Sequence, residues 1–212
     1  MSHPIELAYR ATQYIRTEDY RTHKNGKKKT DSPIERAPRL VQAMSHLGEK
    51  GMPLSHAKKR AKKEIQEKKV SQFIDSVQEW SELRDFLDTL ALFLKAKIEV
   101  KDKKRRQAMR KFIPRSKNRW KAKELVPKAQ ELAQKIGRQK DINTNKIKKL
   151  ESRIKGCRDK WEALASLAQY YPLSGVPTDV IDDWVDLLGE LHLDTFKQLI
   201  SYTIVLYRAQ SL

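Results

Sequence analysis

The stretch FIDSVQEWSELRDFLDTLALFL, residues 73–94, carries the hydrophobic pattern that decides the fold class. Its apolar positions recur at alternating steps of three and four residues, which is the period of one face of an α-helix. The stripe comprises Phe73, Ser76, Trp80, Leu83, Leu87, Leu90 and Leu94, flanked by Ile74, Val77, Phe86 and Ala91. It is wider than the seam of a two-stranded coiled coil, so it predicts a long helix that faces a core.

A second stretch, residues 147–171, repeats this alternation without a miss. Its stripe comprises Ile147, Leu150, Ile154, Cys157, Trp161, Leu164, Ala168 and Tyr171. Thr144 can cap this helix and Pro172 follows its end, which predicts a single helix of roughly 40 Å. We predict an all-α helical bundle built on these two long helices, packed antiparallel, with shorter helices at their sides.

The distribution of charge predicts three segments. The chain of 212 residues has a formal net charge of +18, yet residues 172–212 carry two basic and six acidic side chains. We therefore predict an N-terminal helix with a basic linker (1–33), a basic helical body (34–171) and an acidic C-terminal helical pair (172–212). A chain with so much positive charge repels itself, and the usual counter-charge is a polyanion.

Cysteine content and hydropathy indicate an intracellular protein. The chain has one cysteine, Cys157, so no intramolecular disulfide can form and a reducing compartment is expected: the cytoplasm or nucleoid, or the nucleus in a eukaryote. No apolar run is long enough for a spanning helix, and the first residues lack the apolar region of a secretory signal. Membrane binding is not expected.

The densest charge lies in the basic segment, residues 101–123, with twelve Lys and Arg residues against one acid. Its cations are Lys101, Lys103, Lys104, Arg105, Arg106, Arg110, Lys111, Arg115, Lys117, Arg119, Lys121 and Lys123. Many cations on one path favour phosphate binding, because each neutralised phosphate releases condensed counterions. Trp120 lies among them and can stack on a base. The alternative is a solvated helix face with Trp120 tucked into the core.

Two further basic faces are expected to widen this nucleic-acid-binding surface if they converge in space. The second comprises Lys58, Lys59, Arg60, Lys62 and Lys63, followed by Lys68 and Lys69. The third comprises Lys140, Lys146, Lys148, Lys149, Arg153, Lys155, Arg158 and Lys160. Taken alone, each is typical of a solvated helix face.

The acidic pair resembles a helix-turn-helix only in its spacing. Phosphates would repel its acids, so DNA readout by this pair is rejected. We predict a protein-docking surface instead, or a lid packed on the basic body. The predicted docking residues are Asp179, Asp182, Asp183, Trp184 and Asp186.

Catalysis has little support in the sequence. The five histidines are scattered without ligand spacing, and acids in the first turn of a helix are also what the helix dipole favours. We expect no catalytic residues, no metal site and no cofactor.

These patterns together predict a non-enzymatic protein that binds RNA or DNA through its phosphate backbone, as an accessory subunit of a larger nucleoprotein complex. The principal alternative is a structural or interaction protein whose basic faces bind an acidic protein partner. Membrane-surface binding and a metal-dependent nuclease are weaker rivals. The type of nucleic acid and the oligomeric state are left open.

The basic segment can be tested by charge reversal. Changing Lys104, Arg105, Arg106 and Arg110 to Glu is expected to abolish retention on nucleic acid and to leave the far-UV helical signal intact. Retention that survives the quadruple change would make the segment a solvated face.

Overall fold

The computed structural model describes residues 3–15, 52–65, 67–101, 121–139 and 142–210. In these ranges the regular elements are α-helices, which confirms the predicted all-α class. They are α1 (Pro4–Tyr14), α2 (Leu54–Ile65), α3 (Lys68–Ser76), α4 (Trp80–Lys101), α5 (Ala122–Gly137), α6 (Thr144–Gly156), α7 (Lys160–Ser174), α8 (Thr178–Glu190) and α9 (Leu193–Gln210).

The chain divides into two compact units, Met1–Pro114 and Arg115–Leu212. The boundary lies inside the segment 34–171 that the charge pattern marks as one basic body. The division into three segments by charge stays a prediction. The contacts between helices are grouped in the two compact units.

In the first unit, α1 packs along α4 and also contacts α3, while α2 packs on α3. Ala8 and Ala11 are fully buried, and such small side chains allow α1 to approach its neighbours closely. The end of α1 is held by Lys97 of α4, whose ammonium donates to the carbonyls of Thr12 at 2.8 Å and Ile15 at 3.3 Å. A cation placed there satisfies carbonyls that a helix C-terminus leaves unpaired.

In the second unit, α9 packs along α5 and α6 packs along α7. Helix α9 also contacts α6, and α8 contacts α5, α7 and α9. Trp184 and Phe196 are the largest side chains buried in this core. The two helices predicted in the acidic segment are α8 and α9.

The single helix predicted over residues 147–171 is wrong, because the chain reverses between α6 and α7. Cys157 has extended backbone after Gly156, and its thiol donates to the carbonyl of Arg153 at 3.1 Å. Asp159 then caps α7 by accepting from the N–H of Glu162 at 2.9 Å. The Glu162 carboxylate in turn accepts from the N–H of Arg158 at 2.6 Å. This reciprocal capping starts a new helix, although the apolar residues keep their helical spacing across the break.

The stretch 73–94 is also interrupted, at residues 77–79. The N–H groups of Gln78 and Glu79 donate to the carboxylate of Glu82, at 2.9 and 3.3 Å, and α4 starts from this cap. Because the break changes the helical phase, Phe73 is only half-buried and Ser76 is exposed. The predicted stripe is confirmed for α4, where Leu83, Leu87, Leu90 and Leu94 are buried. The antiparallel pair of long helices is not confirmed.

The end of α7 generates a stability prediction. Gly175 follows α7 with φ 73° and ψ 15°, a left-handed conformation that an L side chain adopts at a cost. Gly175→Ala is therefore expected to lower the free energy of unfolding by about 1 kcal/mol, measured by urea denaturation. Gly156→Ala is the matched control, because an added Cβ there meets nothing within 4 Å. It is expected to be neutral or stabilising. Equal losses of unfolding free energy in both variants would contradict a special role for the left-handed conformation of Gly175.

Candidate nucleic-acid interface

Most of the basic segment lies outside the described residues. This applies to Lys103, Lys104, Arg105, Arg106, Arg110, Lys111, Arg115, Lys117, Arg119 and Trp120. Lys101 is the last residue of α4, and Lys121 and Lys123 are exposed where α5 begins. Their predicted contact with nucleic acid stays a prediction.

The basic face of α2 is divided between internal and solvent-facing cations. Lys58 donates to the carbonyls of Asp75 (3.2 Å) and Val77, at the C-terminal end of α3. Lys62 forms an ion pair with the Asp75 carboxylate. These two lysines fasten α2 to α3, where a helix C-terminus favours cations.

The remaining cations of that face point to solvent. Lys59, Arg60 and Lys63 are exposed and form no ion pair with any residue that the structure describes. Three of the five α2 residues predicted to bind nucleic acid are thus exposed to solvent, while Lys58 and Lys62 are engaged within the protein.

An open cleft beside α6 is lined by four cations. It has a volume of about 550 Å³, and its lining contains no carboxylate. We call it the cationic cleft; it is lined by Lys146, Lys148, Lys149, Ser152 and Arg153 of α6 and by Tyr170 of α7.

The sequence of α6 explains why these cations lie together. Ile147, Leu150 and Ile154 are fully buried at helical spacing, so the opposite side of α6, with Lys148, Lys149, Ser152 and Arg153, faces away from the core. Lys146 and Arg153 lie two turns apart, with Lys149 between them in the same row. Asn143 fixes the start of the helix by accepting from the N–H of Lys146 at 3.1 Å.

The single acid of α6 does not neutralise the cationic cleft. Glu151 is almost buried and pairs with Lys155 at 2.5 Å, outside the cleft lining. The four cleft cations form no ion pair within the ranges that the structure describes. A bound anion would relieve their mutual repulsion, which makes the cleft a candidate phosphate site.

An aromatic ring completes the cleft. The guanidinium carbon of Arg153 lies 5.3 Å from the centroid of the Tyr170 ring, within the range of a cation–π contact. Tyr170 is half-buried on α7, beside the buried Tyr171 in the sequence.

The remaining members of the third basic face do not share this position. Lys160 donates to the carbonyl of Gly189 at 3.3 Å, and Arg158 is exposed at the reversal between α6 and α7. Lys140 lies outside the described residues. The sequence groups all of these cations, whereas the structure brings only four of them together with Tyr170.

The predicted docking residues of α8 need a correction. Trp184 is fully buried in the core of the second unit, and its indole Nε1 has no hydrogen-bond partner in the described residues. It therefore cannot present its side chain to another protein without unfolding α8. Asp179, Asp182 and Asp186 are exposed, whereas Asp183 is half-buried.

Part of the acidic face packs on α5 within the same unit. The ammonium of Lys135 lies 2.6 Å from the Asp183 carboxylate and 3.9 Å from that of Asp179. Lys128 lies 3.5 Å from Asp183, and Glu131 lies between the two lysines on α5. Here α8 acts as a cover over α5, in keeping with the lid alternative.

The pairing shifts two pKa values in opposite directions. The hydrogen bond from Lys135 to Asp183 raises the pKa of the ammonium, against the effect of burial. The hydrogen bond from Lys128 lowers the pKa of the Glu131 carboxyl, also against burial. Both shifts favour the charged forms: that of Lys135 supports its ion pair with Asp183 between α5 and α8, and that of Glu131 supports its pairs within α5.

The described part of the chain has neither a membrane-spanning helix nor a cluster of metal ligands, and the chain resembles no known protein. No described helix is both long and apolar enough to cross a lipid bilayer. Across the described part of the chain, no three His, Cys, Asp or Glu side chains are grouped so as to hold a metal ion. The chain matches no protein-family model, and no curated protein or solved structure is significantly similar to it.

The ion pairs between α5 and α8 generate a stability prediction. Asp183→Asn is expected to lower the free energy of unfolding by about 0.5–1 kcal/mol, because Lys135 and Lys128 lose their shared carboxylate. Because the pKa of Lys135 is raised in the folded protein, its contribution to the free energy of unfolding is fully present below about pH 10.5. This contribution is lost as the pH rises through the raised pKa.

Urea denaturation at pH 7 and at higher pH measures both effects. Glu190→Gln is the control, since this exposed acid lies on the same helix and forms no ion pair with a described residue. A loss as large in the control as in Asp183→Asn would show that the effect comes from net charge alone.

Proposed function

We propose that this protein is a non-enzymatic nucleic-acid-binding protein that contacts the phosphate backbone, as an accessory subunit of a larger nucleoprotein complex. The observation that carries the proposal is the cationic cleft, in which four cations that form no ion pair with a described residue lie beside an aromatic ring. The predicted contacts of the basic segment and of Lys59, Arg60 and Lys63 extend the same proposal.

The geometry of α6 suits a phosphate chain. Lys146 and Arg153 are separated by roughly 10 Å along the helix axis at a rise of 1.5 Å per residue. Phosphates of one DNA strand follow each other at about 3.4 Å along the duplex axis, so the row can meet about three of them. Because Lys148, Lys149 and Arg153 are exposed, a phosphate can reach them without displacing the core.

An acidic protein partner is the alternative occupant of the same surface. Carboxylates would also pair with the cations, but they give no role to the Tyr170 ring in the cleft. Nuclease treatment of a pull-down separates the two, because it releases partners that are held through nucleic acid and spares partners bound directly.

The other parts of the proposal rest on charge and on the single cysteine. Cys157 is buried as a free thiol, and burial raises its pKa, which fits a reducing, intracellular compartment. The exposed carboxylates of Asp182 and Asp186 are the candidates for a protein contact on α8.

The proposal predicts a steep dependence on salt. Affinity for a random 30-mer is expected to fall by on the order of 10³ or more from 50 to 200 mM salt, if six or more phosphates are contacted. Changing Lys146, Lys149 and Arg153 to Gln removes up to three phosphate contacts. The slope of log K against log salt is then expected to decrease by about 2 for a single strand.

A comparison variant removes three charges from the other unit, at residues that the proposal treats as secondary contacts. Changing Lys59, Arg60 and Lys63 to Gln makes the same change in net charge and leaves the cationic cleft intact. Fluorescence anisotropy titrations of both triple variants are expected to show the larger loss for the α6 variant. Equal losses, or none from α6, would refute the cationic cleft as the principal contact.

A further inference from the structure

We propose that the cationic cleft selects single-stranded nucleic acid and that a base stacks on the Arg153–Tyr170 pair. The inference rests on the proposed function and adds the class of nucleic acid. It follows from the ring in the cleft, since phosphate binding alone requires only the cations.

The two side chains form one layered surface. The guanidinium of Arg153 lies over the Tyr170 ring at 5.3 Å from its centroid, and both groups line the same cleft. Aromatic rings and guanidinium planes are the two protein surfaces on which unpaired bases stack. A base can therefore add to the pair as a third layer, on the guanidinium or on the open side of the ring.

The neighbouring cations are placed for the backbone of the same strand. Lys149 and Lys146 precede Arg153 by four and seven residues, roughly 6 and 10 Å along the helix axis. A nucleotide whose base stacks on the Arg153–Tyr170 pair can thus have its flanking phosphates at Lys149 and Lys146. Both lysines line the cleft, and neither has an ion pair with a described residue.

A duplex cannot use this arrangement fully. Its bases are stacked inside the helix and only its phosphates and groove edges are accessible, so the aromatic ring would contribute nothing to its affinity. A single strand gains both the phosphate contacts and the stacking. The difference in affinity between the two forms therefore reports on Tyr170.

The competing role for Tyr170 is to hold the Arg153 side chain in place. In that case the ring never touches a base, and the cleft binds any phosphate chain of sufficient charge density. A strand that has the phosphates but lacks the bases distinguishes this role from stacking.

The experiment compares three fluorescent ligands at one salt concentration: an oligo-dT 10-mer, an abasic strand of equal length and a hairpin duplex. Wild-type protein is expected to prefer oligo-dT over the abasic strand. Tyr170→Ala is expected to weaken oligo-dT binding by about 5- to 100-fold, the range for loss of one stacked base, and to leave the abasic strand unchanged.

Two conservative variants keep the test decisive if Tyr170→Ala fails to fold. Tyr170→Phe retains the ring and is expected to stay within about twofold of wild type. Arg153→Lys retains the charge but loses the planar group, so it is expected to weaken oligo-dT binding with an unchanged salt slope. The far-UV helical signal is the folding control for each variant.

The outcomes separate the two proposals. If wild-type protein binds none of the three ligands, the proposed function fails and the base contact fails with it. If it binds all three with equal affinity and Arg153→Lys changes nothing, phosphate binding stands and the base contact is refuted.

Discussion

The candidate interface depends on the reversal of the chain between α6 and α7. On one continuous helix, Arg153 and Tyr170 would lie 17 residues apart, or roughly 25 Å along the axis. The reversal brings the guanidinium to 5.3 Å from the ring centroid. It is held by the reciprocal bonds of Asp159, Glu162 and the N–H of Arg158. At its open end, the N–H of Asn143 donates to the carbonyl of Ser174 at 2.9 Å.

The sequence carries the fold class but conceals both helix breaks. Apolar spacing predicts helices and a core-facing α4, because burial of one face imposes that spacing on any helix. The same spacing continues through Cys157, which is buried although it lies in the reversal between α6 and α7. The only local signals of the break are Gly156 and the pair Asp159 and Glu162, three residues apart. Such polar contacts act over one turn and do not disturb a hydrophobic pattern.

The candidate site was predictable in its charges and not in its geometry. Lys146, Lys148, Lys149 and Arg153 belong to a basic face that composition and spacing reveal. Tyr170 was missed, because it lies one residue before the apolar stripe position Tyr171 and comes into reach only through the reversal. Trp184 was predicted to be an exposed docking residue, but it is fully buried. Its acidic neighbours suggest an exposed helix, yet a helix with acids on one face can bury the opposite one.

Charge pairing within the second unit explains where its positive surface lies. Of the acids of α8, Asp183 pairs with both Lys128 and Lys135 of α5, and Asp179 lies 3.9 Å from Lys135. The single acid of α6 is used by Lys155, on the side of the helix away from Lys146 and Arg153. Because both sets of carboxylates are engaged elsewhere, the excess of cations is left on the outer face of α6. Helix α8 thereby pairs with cations of α5 and leaves the cleft cations of α6 unneutralised, although the composition of the chain assigns the whole basic body one uniform character.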